Sequence, residues 1–241
     1  MLTPRLPVIL VALVAAVVAA GLGAAPAEAC GSGGYTYAGL AAPSPAFGVS
    51  ATVTPLGGFD VLAGHVAGWV GVGGPGLGPN GSDEWLQVGF SGFPQVRGND
   101  LYYELVRPHG RPTYHQLAED LPFGEPARVG VLEMHAHPNF WRVWLNGNPV
   151  SKPIWMPASH GRWAPIATAE AWDGAGGACN GFLYRFRGVS IARVPGGGWQ
   201  ALVGGYPITS STTRLQRAPG RSAFLAAQGS RALRTLASLK P

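Results

Sequence analysis

No stretch between residues 30 and 195 sustains a helical period, which excludes a helical bundle for most of this chain. Beyond residue 22 no apolar run is long enough to cross a bilayer. Cysteine is limited to Cys30 and Cys179, and lysine to Lys152 and Lys240. The glycines between Gly71 and Gly81 are followed by neither a Lys-Ser/Thr pair nor a helix signal, so they are not a phosphate cradle. Ser/His/Asp catalysis has no elbow motif to stand on. Acids are few, and residues 204–241 contain none.

The first 29 residues have the order of a secretory signal. Arg5 supplies the positive start, Val8 to Leu22 the apolar run, and Ala27-Glu28-Ala29 a small-x-small cleavage site. A secreted chain starting at Cys30 is expected, without stable membrane insertion. In an oxidising compartment Cys30 and Cys179 form one disulfide; lipid modification of Cys30 is the alternative. The formal charge of +5 invites a nucleic-acid reading. Six of the basic residues, however, lie between Arg214 and Lys240. Without these, Arg5 and Glu28, the body carries ten basic and eleven acidic residues. The basic charge is therefore assigned to a tail, and no nucleic-acid partner is expected.

What the chain has in quantity is short alternating runs bounded by glycine and proline. Candidate strands are Gly48–Pro55, His65–Val72, Glu84–Phe90, Leu101–Val106, Pro112–Leu117, Arg128–His135, Phe140–Leu145, Pro149–Trp155, Ile166–Trp172 and Phe182–Arg193. Asn146-Gly147 between two of them is a hairpin signal. Trp199–Val203 is a further candidate. So many short strands predict an all-β, two-sheet antiparallel sandwich, with a jelly roll as the preferred arrangement. The expected division is a signal peptide over 1–29, an arm over 30–45, the sandwich over 46–203 and a flexible basic tail over 204–241. Within that tail, Ser222–Leu239 reads as either a weak amphipathic helix or disorder. A monomer is expected.

The strand alternation singles out candidate site residues. Trp85, Gln87 and Gly89 share one face of their strand, and Leu86, Val88 and Phe90 share the other. A glutamine between an indole and a glycine points to a half-buried surface where a ligand approaches the backbone. Glu104 shares a face with Tyr102, and Glu170 with Trp172. An acid on an aromatic surface acquires a raised pKa and can serve as general acid or base. His135-Ala136-His137 has a spacing that metals use, but no third ligand lies near it in sequence, so no metal is expected.

In order, Trp69-Val70-Gly71-Val72-Gly73, Trp85-Leu86-Gln87-Val88-Gly89, Tyr103-Glu104 and Ala169-Glu170-Ala171-Trp172 resemble the landmarks of the eqolisins, the glutamic peptidases. Gly124–Val129 and Phe186–Ile191 also resemble that family, and the likeness spans about residues 46 to 193. It implies a concanavalin A-like sandwich and a secreted endopeptidase acting in acid on polypeptides without a cofactor. It implies that Gln87 and Glu170 are catalytic, Glu104 is a supporting acid and Trp69 is an aromatic wall. Gln87 and Glu170 are then expected to project from neighbouring strands onto one sheet face. Where the family has an acid two residues after its Trp-Val-Gly, this chain has Gly73. Two other readings fit the same residues. One is a lectin-like module in which Trp85, Tyr102 and Trp172 stack on sugar rings. The other is a glycosidase using Glu104 and Glu170 as its carboxylate pair.

Overall fold

Period-two alternation in the apolar runs becomes two sheets packed face to face. The computed structural model describes residues 34–241 except 58, 59, 175 and 178. One antiparallel sheet runs, in spatial order, β14 (Tyr206–Thr209), β1 (Tyr35–Ala41), β11 (Ile166–Trp172), β3 (His65–Gly74), β4 (Glu84–Gly92), β5 (Asn99–Val106) and β6 (Thr113–Leu121). The other runs β10 (Ile154–Trp155), β8 (Phe140–Leu145), β7 (Ala127–Glu133), β2 (Gly48–Pro55), β12 (Phe182–Val194), β16 (Phe224–Gln228) and β15 (Thr213–Arg217). Two short strands complete it: β13 (Gly197–Ala201) pairs with β12, and β9 (Asn148–Pro149) with β8. The single α-helix among the described residues is α1 (Ser230–Leu236).

The core lies between the sheets. Val66, Val70, Leu86, Val88 and Phe90 come from the first sheet; Val49, Val53, Val131, Trp141, Phe182 and Phe186 come from the second, and all are buried. Each such side chain contributes about 1.5–3 kcal/mol on burial. The buried Trp141 indole N–H is satisfied by Ser159 Oγ at 2.8 Å. Gly68 lets the two layers approach closely beneath the first sheet. A Cβ there would lie 2.5 Å from the ring of Tyr184 on β12.

Both ends of the described chain differ from expectation. The segment read as an arm contains β1, which pairs with β11 along its whole length. The segment read as a flexible tail contains β14, β15, β16 and α1. Phe224 is fully buried and stacks on Phe186, with ring centroids 4.5 Å apart. Helix α1 seats Ala232 and Leu236 on Leu183, Leu225 and Ala227. Thr213 Oγ1 donates to the carbonyl of Tyr37 at 2.7 Å, tying the two ends together. Phe224-Leu225-Ala226-Ala227 has neither clear alternation nor many β-branched residues; its place is decided by partners distant in sequence. The predicted strand Trp199–Val203 forms two residues earlier, as β13. The signal sequence and Cys30 lie outside the described residues. No helix among those described is long and apolar enough to cross a membrane.

The basic segment is structured as well. The excess of positive charge does lie after residue 203. Arg214 and Arg217, however, sit on β15 and Arg231 and Arg234 on α1, so it belongs to folded elements rather than to a flexible tail.

Candidate active site

The part of the first sheet's outward face that concerns the site is built by five strands. Alternation puts His65, Ala67, Trp69, Gly71 and Gly73 of β3 outward, while Val66, Val70 and Val72 enter the core. Register then sets the rows. Glu104, Gln87, Gly71 and Ile166 lie side by side across β5, β4, β3 and β11. The next outward row holds Tyr102, Gly89, Trp69 and Thr168, and the one after it Ala67, Glu170 and Tyr37. Gln87 and Glu170 thus project from the same face but not from neighbouring strands. Strand β3 separates them, with Trp69 between their rows. Gly71 clears the space beside Gln87, since a Cβ there would stand 2.9 Å from the Gln87 Cβ.

A cleft of about 340 Å3 opens on this face. Gln87, Glu104, Glu170, Trp69 and Trp85 all line it, together with Tyr35, Tyr37, Thr168, Ile208 and the glycine turn at Gly73 and Gly74. Glu104 accepts a hydrogen bond from the Trp85 indole N–H at 2.9 Å. Gln87 Nε2 donates to the Tyr102 hydroxyl at 3.1 Å. Glu170 is buried, and its Oε1 lies 3.6 Å from His65 Nε2. No hydrogen bond joins Gln87 to Glu170.

Electrostatics centre on Glu170. Burial raises the pKa of Glu104 above the usual carboxylate range, and the charge of Glu170 raises it further; the Trp85 N–H and His65 pull it back down. Burial, then Glu170, pushes Tyr35 up to about 12 and Tyr37 higher still. Tyr102 is likewise held well above its ordinary value, chiefly by burial. The phenols around the cleft therefore remain neutral over any pH at which carboxylates titrate.

Of the seven residues singled out for the site from the sequence, five line the cleft. Tyr102 does not: it is buried, stacked on Tyr114 at 4.9 Å, and acts on the cleft through Gln87. Trp172 stacks at the margin with Tyr35 and His65, at 6.4 and 5.8 Å. The sequence reading missed Tyr35, Tyr37, Thr168, Ile208 and the contact of His65 with Glu170. Tyr35-Thr36-Tyr37 does alternate and favour a strand, a signal its Gly/Ala/Pro-rich surroundings obscured. His135 and His137 sit exposed in the turn after β7, and no group of three or more metal-ligating side chains occurs among the described residues.

Two structures of scytalido-glutamic peptidase, each with a transition-state analogue, resemble the chain at TM-scores of 0.53 and 0.52. Identities are 17% and 16%, over 82% of this chain and 98% of theirs. Its fold is that of the eqolisin glutamic peptidases. SCP-B, an eqolisin solved with the tripeptide Ala-Ile-His, gives 0.49 at 16% identity, over 82% of this chain and 98% of its own. No family model and no curated protein matches the sequence. The eqolisin fold accounts for the concanavalin A-like, two-sheet architecture predicted from the strand count.

Proposed function

We propose that this protein is a secreted glutamic endopeptidase acting in acid, with Glu170 as general base and Gln87 as oxyanion donor. The observation that carries the reading is that Gln87, Glu104 and Glu170, from three different strands, line one cleft. The peptidase with the same fold holds a peptide-based transition-state analogue, which suits a polypeptide substrate. In the reaction, the Glu170 carboxylate takes a proton from water as its oxygen attacks the scissile carbonyl carbon. The carbonyl oxygen becomes an oxyanion and accepts the free N–H of Gln87. Glu170 returns the proton to the amine, the C–N bond breaks, and a carboxyl and an amine leave. Glu104, held by Trp85, keeps a second acid beside the site, and Trp69 with Tyr35 and Tyr37 provides walls for side chains. No cofactor is required. A Cys30–Cys179 disulfide in the secreted chain belongs to the same proposal.

Proteolysis by the purified mature chain is the test. Cleavage of a denatured protein substrate is expected within roughly pH 2 to 6, the span of carboxylate titration. It should decline towards neutrality as Glu104, the second acid whose pKa burial raises, ionises beside the Glu170 carboxylate. Glu170→Gln should abolish it while leaving the thermal midpoint unchanged, because an amide cannot take the proton. Retained cleavage in that variant, or none in the wild type, would overturn the reading. A glycosidase remains the second reading, because the two carboxylates share a cleft and burial raises the pKa of Glu104, as a general acid requires. Hydrolysis of a polysaccharide, lost in Glu104→Gln, would favour it; binding of a glycan without hydrolysis would favour a lectin.

A further inference from the structure

The two sheets have opposite charge. In the first, β4, β5, β6 and β11 carry Glu84, Asp100, Glu104, Glu119, Asp120 and Glu170, and no strand carries lysine or arginine. In the second, β7 has Arg128, β8 has Arg142, β12 has Arg185, Arg187 and Arg193, and β15 has Arg214 and Arg217. Its one strand acid, Glu133, is fully buried and held by His160 at 3.0 Å.

Register gathers four of these arginines on the outward face of the second sheet. Arg128, Thr52 and Arg187 form one row across β7, β2 and β12, with Thr54 and Arg185 beside them. Arg142 lies on the same face of β8 as Trp144. None of the four pairs with a carboxylate among the described residues; Arg128 reaches only Ser50 Oγ, at 3.1 Å. The Nε groups of Arg142 and Arg185 and the indole N–H of Trp144 are buried without a partner. Arg187 also crowds Arg185, which, after burial, is the second influence lowering the Arg185 pKa. A cluster of cations placed this close, with no ion-paired carboxylate among the described residues, is complementary to a repeating anion.

We propose that this face binds an anionic polysaccharide, a chain bearing carboxylate or sulfate groups. Guanidinium groups would take the anions, and the half-buried Thr52 hydroxyl between Arg128 and Arg187 would meet a sugar hydroxyl. A bilayer needs apolar side chains projecting from the middle of the surface. Single-stranded nucleic acid needs exposed rings among the cations. Here the centre is hydroxyl and guanidinium, and Trp144 is half-buried. Docking through this face leaves the cleft, on the opposite sheet, open. The proposal does not depend on what the cleft does.

Affinity electrophoresis of the full mature chain in gels containing polygalacturonate, dextran sulfate or neutral dextran tests it. Phosphatidylglycerol vesicles and duplex DNA are measured in parallel. Retardation is expected with one or both anionic polysaccharides and not with dextran, and should weaken as salt rises. The double variant Arg128→Ala/Arg187→Ala should bind about tenfold more weakly, the combined effect of two exposed ion pairs. Both positions are exposed, so its thermal midpoint should match the wild type, and Arg187→Lys should keep much of the binding. Arg97→Ala/Arg111→Ala removes the same charge from loops beside the first sheet and should change binding less than about twofold. Equal loss in that control would mean net charge alone acts. That result, tighter binding to vesicles or DNA, or no retardation by either anionic polysaccharide, would overturn the proposal.

Discussion

Gln87 can serve an oxyanion only if one of its two amide hydrogens points into the cleft. Tyr102 provides for this by accepting the other hydrogen at 3.1 Å, from a ring that burial and its stack on Tyr114 hold still. Tyr102→Phe keeps the packing and removes the acceptor. The expected outcome is a kcat reduced about three- to tenfold with KM nearly unchanged, from a neutral hydrogen bond worth about 0.5–1.5 kcal/mol. Steady-state kinetics on a peptide separates this from damage to the cleft walls, which would raise KM. At this scale much was legible in the sequence: alternation alone put Gln87, Glu104 and Glu170 on faces with aromatic neighbours. The proximity of His65 to Glu170 was not, because it depends on how β3 pairs with β11 across about a hundred residues of chain.

Strands β3 and β4 are joined by a turn that shapes one end of the cleft. Gly73, in the last pair but one of β3 before that turn, has φ +85°, and a Cβ at this position would lie 2.2 Å from the carbonyl oxygen of Glu84. An acid here, as the sequence resemblance would lead one to expect, therefore has no room at this end of β3. Against the same turn lies Glu84, fully buried, with neither carboxylate oxygen hydrogen-bonded. Burial raises its pKa from 4.5 to about 7, although Arg107 opposes the shift. Because the folded value exceeds the unfolded one, folding favours the protonated acid. Its contribution is complete below about 4.5 and is lost as pH rises to about 7. Urea titrations should show the wild type losing about 1–3 kcal/mol over that interval, the cost of an unpartnered buried group. Glu84→Gln should flatten the dependence; an equal slope in the variant would place its origin elsewhere. A turn stable in acid suits an enzyme proposed to work there.

Taken as a whole, the molecule is closed by the segments that the sequence leaves least defined. Strand β1 brings Tyr35 and Tyr37 to the cleft, and β14 brings Ile208. Strands β16 and β15 extend the other sheet at one edge, α1 packs on β12 and β16, and Phe224 fills the core against Phe186. A chain ending at Ser210 should lose its cooperative unfolding transition, since removing the buried Phe224 ring and leaving its cavity alone costs about 3–5 kcal/mol and whole domains are stable by only about 5–15. An unchanged denaturant midpoint in the truncated chain would show instead that these elements are dispensable.

The sequence by itself determined the fold class, the two-faced strands and the residue types available for chemistry. Those follow from period-two patterning and from glycine and proline turns, which act within a few residues. Only the tertiary structure decided that β3 stands between Gln87 and Glu170, that both ends of the described chain complete the sheets, and that most strand acids and arginines occupy opposite layers. Strand order and register depend on contacts between residues far apart in sequence, and a strand such as Phe224–Gln228 gains its stability from the neighbours it meets. The charge asymmetry has the same origin. Net charge averages over the chain, whereas a field depends on which face each side chain leaves, and register sets that.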